Sequence, residues 1–146
     1  MDVKVTAESS VDPTEDEVKV ERALHNIFPS DRVEKIETHG GATILRIRGS
    51  GLDFLSNLRS LIRQERIRSA ARSILLSGTG GQRITLYLHK QAAFVGRVSF
   101  CAPSGESPHG PISIEIESSD PQSVIDFLAS SPAQRFTYEP VGRRGR

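Results

Sequence analysis

The sequence predicts an α+β fold: an antiparallel sheet with helices packed on one face, in two layers. Three observations predict it. The second half of the chain alternates apolar and polar residues with period two, so one face is packed and the other is wet. Many of these later strands are joined by tight turns rather than crossover helices, which argues against a parallel, doubly wound sheet. Amphipathic helical stretches stand between the early and late strands and again at the end, which suits a sheet covered on one side.

The elements follow in order. Val3, Val5 and Ala7 alternate with Asp2, Lys4 and Thr6 as a half-buried strand. Asp12-Pro13-Thr14-Glu15-Asp16-Glu17 then reads as a helix start, with Thr14 and Glu17 placed as a capping box. Val20, Ala23, Leu24, Ile27 and Phe28 continue at helical spacing until Pro29. Residues 32–38 and 43–48 read as a hairpin around His39-Gly40-Gly41. Ser50-Gly51-Leu52-Asp53 opens a helix whose apolar stripe is Phe54, Leu58, Leu61 and Ile62. A second stripe, Ile67, Ala70, Ala71, Ile74 and Leu75, is out of phase with it. This predicts two helices, or one bent near Glu65–Arg68, ending at Gly78 as a left-handed terminator. Strands follow around Ile84–Leu88, Phe94–Phe100 and Ile112–Ile116. A last helix starts with Asp120 as N-cap and Pro121 at the first helical position, and packs through Val124, Ile125 and Leu128. The expected organisation is one domain over residues 1–130 and a disordered basic tail over 131–146.

Composition bounds the function class. A chain of 146 residues with 36% hydrophobic and 25% charged residues fits a soluble globular protein able to bury a core. The one cysteine, Cys101, excludes an internal disulfide, and the four scattered histidines offer no zinc spacing. A cytoplasmic setting and no membrane span are the expectation.

Charge is the informative pattern. Between Arg59 and Arg97 stand eight Lys and Arg against one carboxylate, Glu65, a formal +7 in a chain whose net charge is +1. Such a stretch attracts polyanions, nucleic acid above all. Arg59, Arg63 and Arg66 share one helix side, and Arg68 and Arg72 repeat the i, i+4 spacing. Guanidinium groups in a row can follow a phosphate backbone. The alternative is a solvated flank, part of it paired to acids. Arg83, Thr85, Tyr87 and His89 share one strand face, and Arg46 and Arg48 another that could lie nearby. Such a face could stack bases, or be an ordinary exposed or subunit-covered strand.

Catalytic signals are weak. Gly78-Thr79-Gly80-Gly81 lacks the ending of a phosphate-binding loop and follows a helix rather than a strand. Cys101 and His109 could pair only if folding brings them together, and Glu115 and Glu117 share a face without a visible acid–base task. No cofactor, metal or enzymatic activity is expected.

Several strings resemble those of an archaeal family of small proteins predicted to bind RNA and once proposed as exosome-associated. They are Pro13-Thr14-Glu15-Asp16, Phe28-Pro29, Gln64-Glu65-Arg66-Ile67 with Ala71-Arg72, Lys90-Gln91-Ala92-Ala93-Phe94-Val95-Gly96 and Ser107-Pro108-His109-Gly110-Pro111-Ile112. His89 departs from the Asn expected in relatives. The resemblance covers about Val3 to Ala129. It implies a fold like that of the large-subunit ribosomal protein that binds 5S rRNA, and dimers, and it supplies no catalytic residue. The combined expectation is a non-catalytic RNA-binding protein. Arg59, Arg63, Arg66, Arg72 and Lys90 would contact phosphate, and Tyr87 and Gln91 a base. The partner would be ribosomal or another structured RNA. A protein-interaction or homodimerisation module is the alternative.

Overall fold

Alternation along the first strand sets the architecture. In β1 (Val3–Val11), Val3, Val5, Ala7 and Ser9 are buried, while Lys4, Thr6, Glu8 and Ser10 point to the other face. β1 therefore has one dry face, and the sheet grows from both of its edges. The computed structural model describes residues 2–30, 32–103 and 110–131. β1 pairs antiparallel with β3 (Thr43–Ser50) on one side and with β6 (Ile112–Ser118) on the other. β2 (Glu34–Glu37) extends the sheet beyond β3; β5 (Arg83–Leu88) and the short β4 (Thr79–Gly80) extend it beyond β6. The order is β2-β3-β1-β6-β5-β4, antiparallel throughout. The predicted α+β class holds.

The dry face carries Leu45 and Ile47 of β3, Ile112, Ile114 and Ile116 of β6, and Ile84, Leu86 and Leu88 of β5. Helices cover it. They are α1 (Glu17–Ile27), α2 (Ser56–Gln64), entered through a single 3-10 turn at Leu52–Leu55, α3 (Arg68–Ser77) and α5 (Pro121–Leu128). Each contributes its apolar stripe to one continuous core: Val20, Ala23, Leu24 and Ile27; Leu58, Leu61 and Ile62; Ala71 and Leu75; Val124, Ile125 and Leu128. Phe28 and Phe54 stack at 5.3 Å with nearly parallel rings, tying the end of α1 to the start of α2. Asp120 caps α5 as expected, accepting from the Ser123 amide.

Three local expectations are corrected. The N-cap of α1 is Asp16, whose carboxylate accepts from the Val18 amide, rather than Thr14 with Glu17. Glu15 instead folds back to accept from the Asp12 amide. Gly78 does not end α3 in a left-handed turn, for its φ is −85°. It is needed because a Cβ there would collide with the Thr85 carbonyl of β5. Residues 94–100 are not a strand. Lys90–Phe94 form a helical turn, α4, that Gly96 ends at φ 82°. The chain then returns to β5: the Cys101 amide donates to the Tyr87 carbonyl, Leu88 and Phe100 form a bridge, and just past the strand the Ser99 carbonyl accepts from the His89 amide. Ala92 and Ala93 favour helix, and Ala93 is fully buried, so local propensity and packing outweigh the alternation of Phe94, Val98 and Phe100. The expected basic tail lies outside the described residues beyond Ser131, as does His109.

Candidate nucleic-acid interface

The site forms where α2 gives way to α3. Past Gln64, the Arg66 amide bonds the Arg63 carbonyl at 3.1 Å and the Ile67 amide bonds the Ile62 carbonyl at 3.3 Å. These two bonds are the pattern of a left-handed helix termination, a position that usually holds glycine. Here it holds Arg66, at φ 59°, the one non-glycine residue with positive φ among those described. The reversal makes the two apolar stripes out of phase. It also brings Arg63, Arg66 and Arg68 to the walls of one open depression of about 890 Å³, completed by Ile67, Ser69 and Ala70. Among the described residues none of these three guanidinium groups has a hydrogen bond or ion pair.

The nearest carboxylate in sequence, Glu65, is occupied. Arg97 grips it through two bonds, Nε to Oε2 at 3.0 Å and a terminal nitrogen to Oε1 at 2.9 Å. The hydrogen bonds from Arg97 lower the Glu65 pKa below the ordinary carboxylate value; the charge of Arg97 and the Val98 amide add to this, against some desolvation. The negative charge inside the basic stretch is thus spent on a fourth arginine.

The other predicted cations do not join this cluster. The Arg59 guanidinium lies over the Phe127 ring at 4.9 Å and donates to the Phe127 carbonyl at 2.9 Å. Arg72 donates to the Asp126 carboxylate at 2.9 Å and to the Ala129 carbonyl at 3.0 Å. Both therefore fasten the C-terminal end of α5 to α2 and α3, where cations suit the exposed carbonyls. Lys90 is only 3% exposed. Its ammonium donates to the Ser10 carbonyl at 2.7 Å and to Glu15 at 3.0 Å. That burial takes Lys90 out of reach of a phosphate. Arg83 pairs with Glu115 at 2.7 Å and Glu117 at 3.0 Å. The +7 stretch is consequently divided between structural and open cations, and only Arg63, Arg66 and Arg68 form a patch.

The open sheet face is also neutralised. Arg46 meets Glu8, and Arg48 meets Glu34 at 3.2 Å. Tyr87 is half-buried on this face, opposite Ser113. Two strands, β1 and β6, separate Tyr87 from Arg46 and Arg48, a gap of about 14 Å at the usual strand spacing. The expected grouping of those arginines with Tyr87 does not occur, and His89 follows the strand as the residue preceding α4. Gln91 is exposed, on α4 rather than beside a strand end.

Sequence reasoning placed Arg68 with Arg72 and left it out of the contact set, because i, i+4 spacing says nothing of where a helix begins. The signal that could have found it is the phase break between the two stripes. Among the described residues no cluster of His, Cys, Asp and Glu could hold a metal ion, and no helix is long and apolar enough to cross a membrane.

A family model described as RNA binding matches residues 4–118. The chain is 44% identical over 128 residues to a UPF0201 protein of Aeropyrum pernix, covering 87% of this chain and 85% of that one. It is 39% identical over 131 residues to a UPF0201 protein of Sulfolobus acidocaldarius, covering 90% of both. The crystal structure of a UPF0201 protein from Methanococcus jannaschii superimposes with a TM-score of 0.77 at 30% identity, covering 88% of this chain and 93% of that one. With this fold, this coverage and the matching RNA-binding family model, the chain belongs to the archaeal UPF0201 family.

Proposed function

We propose that the chain is a non-catalytic RNA-binding protein whose phosphate contacts come from Arg63, Arg66 and Arg68. The observation that carries this reading is the cluster itself: three guanidinium groups, unpaired among the described residues, around one depression. The match to the RNA-binding family model supports the ligand class. The left-handed backbone of Arg66 supports the site, since a non-glycine residue there costs about 1–2 kcal/mol and such strain concentrates at functional positions. A structured RNA, ribosomal RNA among the candidates, fits a patch of this size better than a long single strand, which would need a continuous groove.

Fluorescence anisotropy with a labelled RNA hairpin tests the reading. Three phosphate contacts on a duplex predict a slope of log affinity against log salt of roughly −2.7, hence a roughly 40-fold loss between 50 and 200 mM salt. Replacing Arg63, Arg66 and Arg68 together with Gln should flatten that slope towards zero. Arg72→Gln, at the α5 contact, should change stability more than the slope. A triple variant that binds with undiminished affinity and slope would overturn the assignment.

A homodimer through the open sheet face is the second reading. It is favoured by the pairing of that face's cations with its own carboxylates, which leaves little attraction for phosphate. Light scattering of wild type and Tyr87→Arg tests it: a dimer that the substitution splits supports this face as the contact, and a monomeric wild type overturns it.

A further inference from the structure

Phe94 sits at the end of α4, half-buried, in a position set by three helices. The Asn57 carboxamide of α2 donates to the Asn26 and Ile27 carbonyls at 2.6 and 3.0 Å, closing the end of α1. The Asn26 carboxamide in turn donates to the Ala93 and Phe94 carbonyls at 2.9 and 3.1 Å, closing the end of α4. Two cations of α1, Lys19 and Arg22, lie over the Phe94 ring, each 5.7 Å from its centroid. Both are exposed, and neither has an ion-pair partner among the described residues. Beside the ring opens a mainly apolar pocket of about 360 Å³, lined by Val20, Lys19, Gln91 and Asp16 as well as Phe94. That volume is at the small end of the ligand-pocket range, roughly 300–1,000 Å³.

We infer that this pocket takes one unpaired base of the bound RNA, stacked on Phe94 in place of the exposed Lys19 and Arg22 side chains, which turn from the ring to the flanking phosphates. The inference rests on the RNA-binding reading and gives that surface a second subsite. An aromatic ring offers a stacking platform to any base. The Asp16 carboxylate in the wall disfavours phosphate on its side and suits an exocyclic amine. Lys90 and Glu15 beneath the pocket neutralise each other. One chain of contacts leads from the pocket towards the arginine cluster: Arg97, three residues past Phe94 and so at most about 11 Å from it between α-carbons, holds Glu65, the sequence neighbour of Arg66.

The test uses two RNA hairpins, one with a 2-aminopurine in a single-stranded overhang and one fully paired with blunt ends. Wild type should change the 2-aminopurine emission on binding and favour the overhang hairpin. Phe94→Leu should abolish the emission change and lower overhang affinity about tenfold, within the range for one stacked base. Its affinity for the blunt hairpin should stay the same. Phe94→Tyr should keep the signal. Lys19→Gln with Arg22→Gln, both exposed, should reduce the salt slope on the overhang RNA only, which keeps the inference testable if Phe94→Leu fails to fold. Unchanged emission and affinity in Phe94→Leu, with binding still lost in the Arg63/Arg66/Arg68 variant, would overturn the pocket alone. A Phe94-dependent signal that survives the arginine variant would overturn the arginine cluster alone. Absence of RNA binding by wild type would overturn both.

Discussion

Removing the Lys90 ammonium should unfold the protein at a far lower temperature without touching its affinity for a fully paired RNA hairpin. Lys90 is 3% exposed, and the side chain of its partner Glu15 is 10% exposed. The ammonium also holds the Ser10 carbonyl, and Glu15 also holds the Asp12 amide, so the pair closes the loop between β1 and α1 against α4. Lys90→Ala leaves the Glu15 carboxylate without that ammonium in a place with little water. Breaking one side of a buried pair costs about 3–5 kcal/mol, a large share of the roughly 5–15 kcal/mol that stabilises a domain. At about 4 °C per kcal/mol the melting temperature should fall by about 12–20 °C. Thermal and urea denaturation read the loss. Lys90→Met combined with Glu15→Leu should recover most of it, because no lone charge is then left behind. Anisotropy with the blunt, fully paired RNA hairpin, which does not use the pocket above Lys90, should match wild type per folded molecule well below the melting point. A single variant costing under about 1 kcal/mol, or two variants whose costs simply add, would refute the buried-pair argument. A variant with intact stability and weakened binding of the blunt hairpin would return Lys90 to the phosphate contacts.

Two further outcomes follow from the α2–α3 junction. Arg66→Gly should stabilise the protein by about 1 kcal/mol, since glycine adopts φ 59° without a Cβ penalty, while weakening RNA binding; urea denaturation and anisotropy measure the two effects separately. The Glu65–Arg97 pair should give an acid-sensitive stability component. Because the Glu65 carboxyl is lowered in the folded state, that component is complete above its unfolded value of about 4.3 and disappears as pH falls through the lower folded value. Urea titrations from pH 6 to pH 3 should therefore show a shallower acid decline in Arg97→Gln than in wild type, and equal declines would refute the linkage.

The β1, β5 and β6 strands were legible because one face of each is dry, so Val3/Val5/Ala7, Ile84/Leu86/Leu88 and Ile112/Ile114/Ile116 carry a period of two. The stripes of α2 and α3 were legible for the corresponding reason at helical spacing, and so was the break between them. The short α4 was not. Five residues hold too little periodicity to compete with a neighbouring alternation, and the deciding contact, Ala93 against the core, is tertiary. The division of the cations was also hidden. Whether a cation reaches solvent or a carboxylate depends on partners far along the chain: Asp126 for Arg72, Glu15 for Lys90, Glu115 and Glu117 for Arg83. Local charge density reports how many positive groups exist and says nothing of which ones remain available after folding.

The linkage of Asn57 and Asn26 gives the molecule a fixed gauge. Because these two carboxamides lock the ends of α1 and α4 to α2, the interval from the Phe94 ring to the Arg63 helix is set by packed helices and cannot stretch like a loop. A ligand that engages both ends must match that interval, so discrimination among RNAs would come from the distance between a bulged nucleotide and its neighbouring stem, independent of the letters in between.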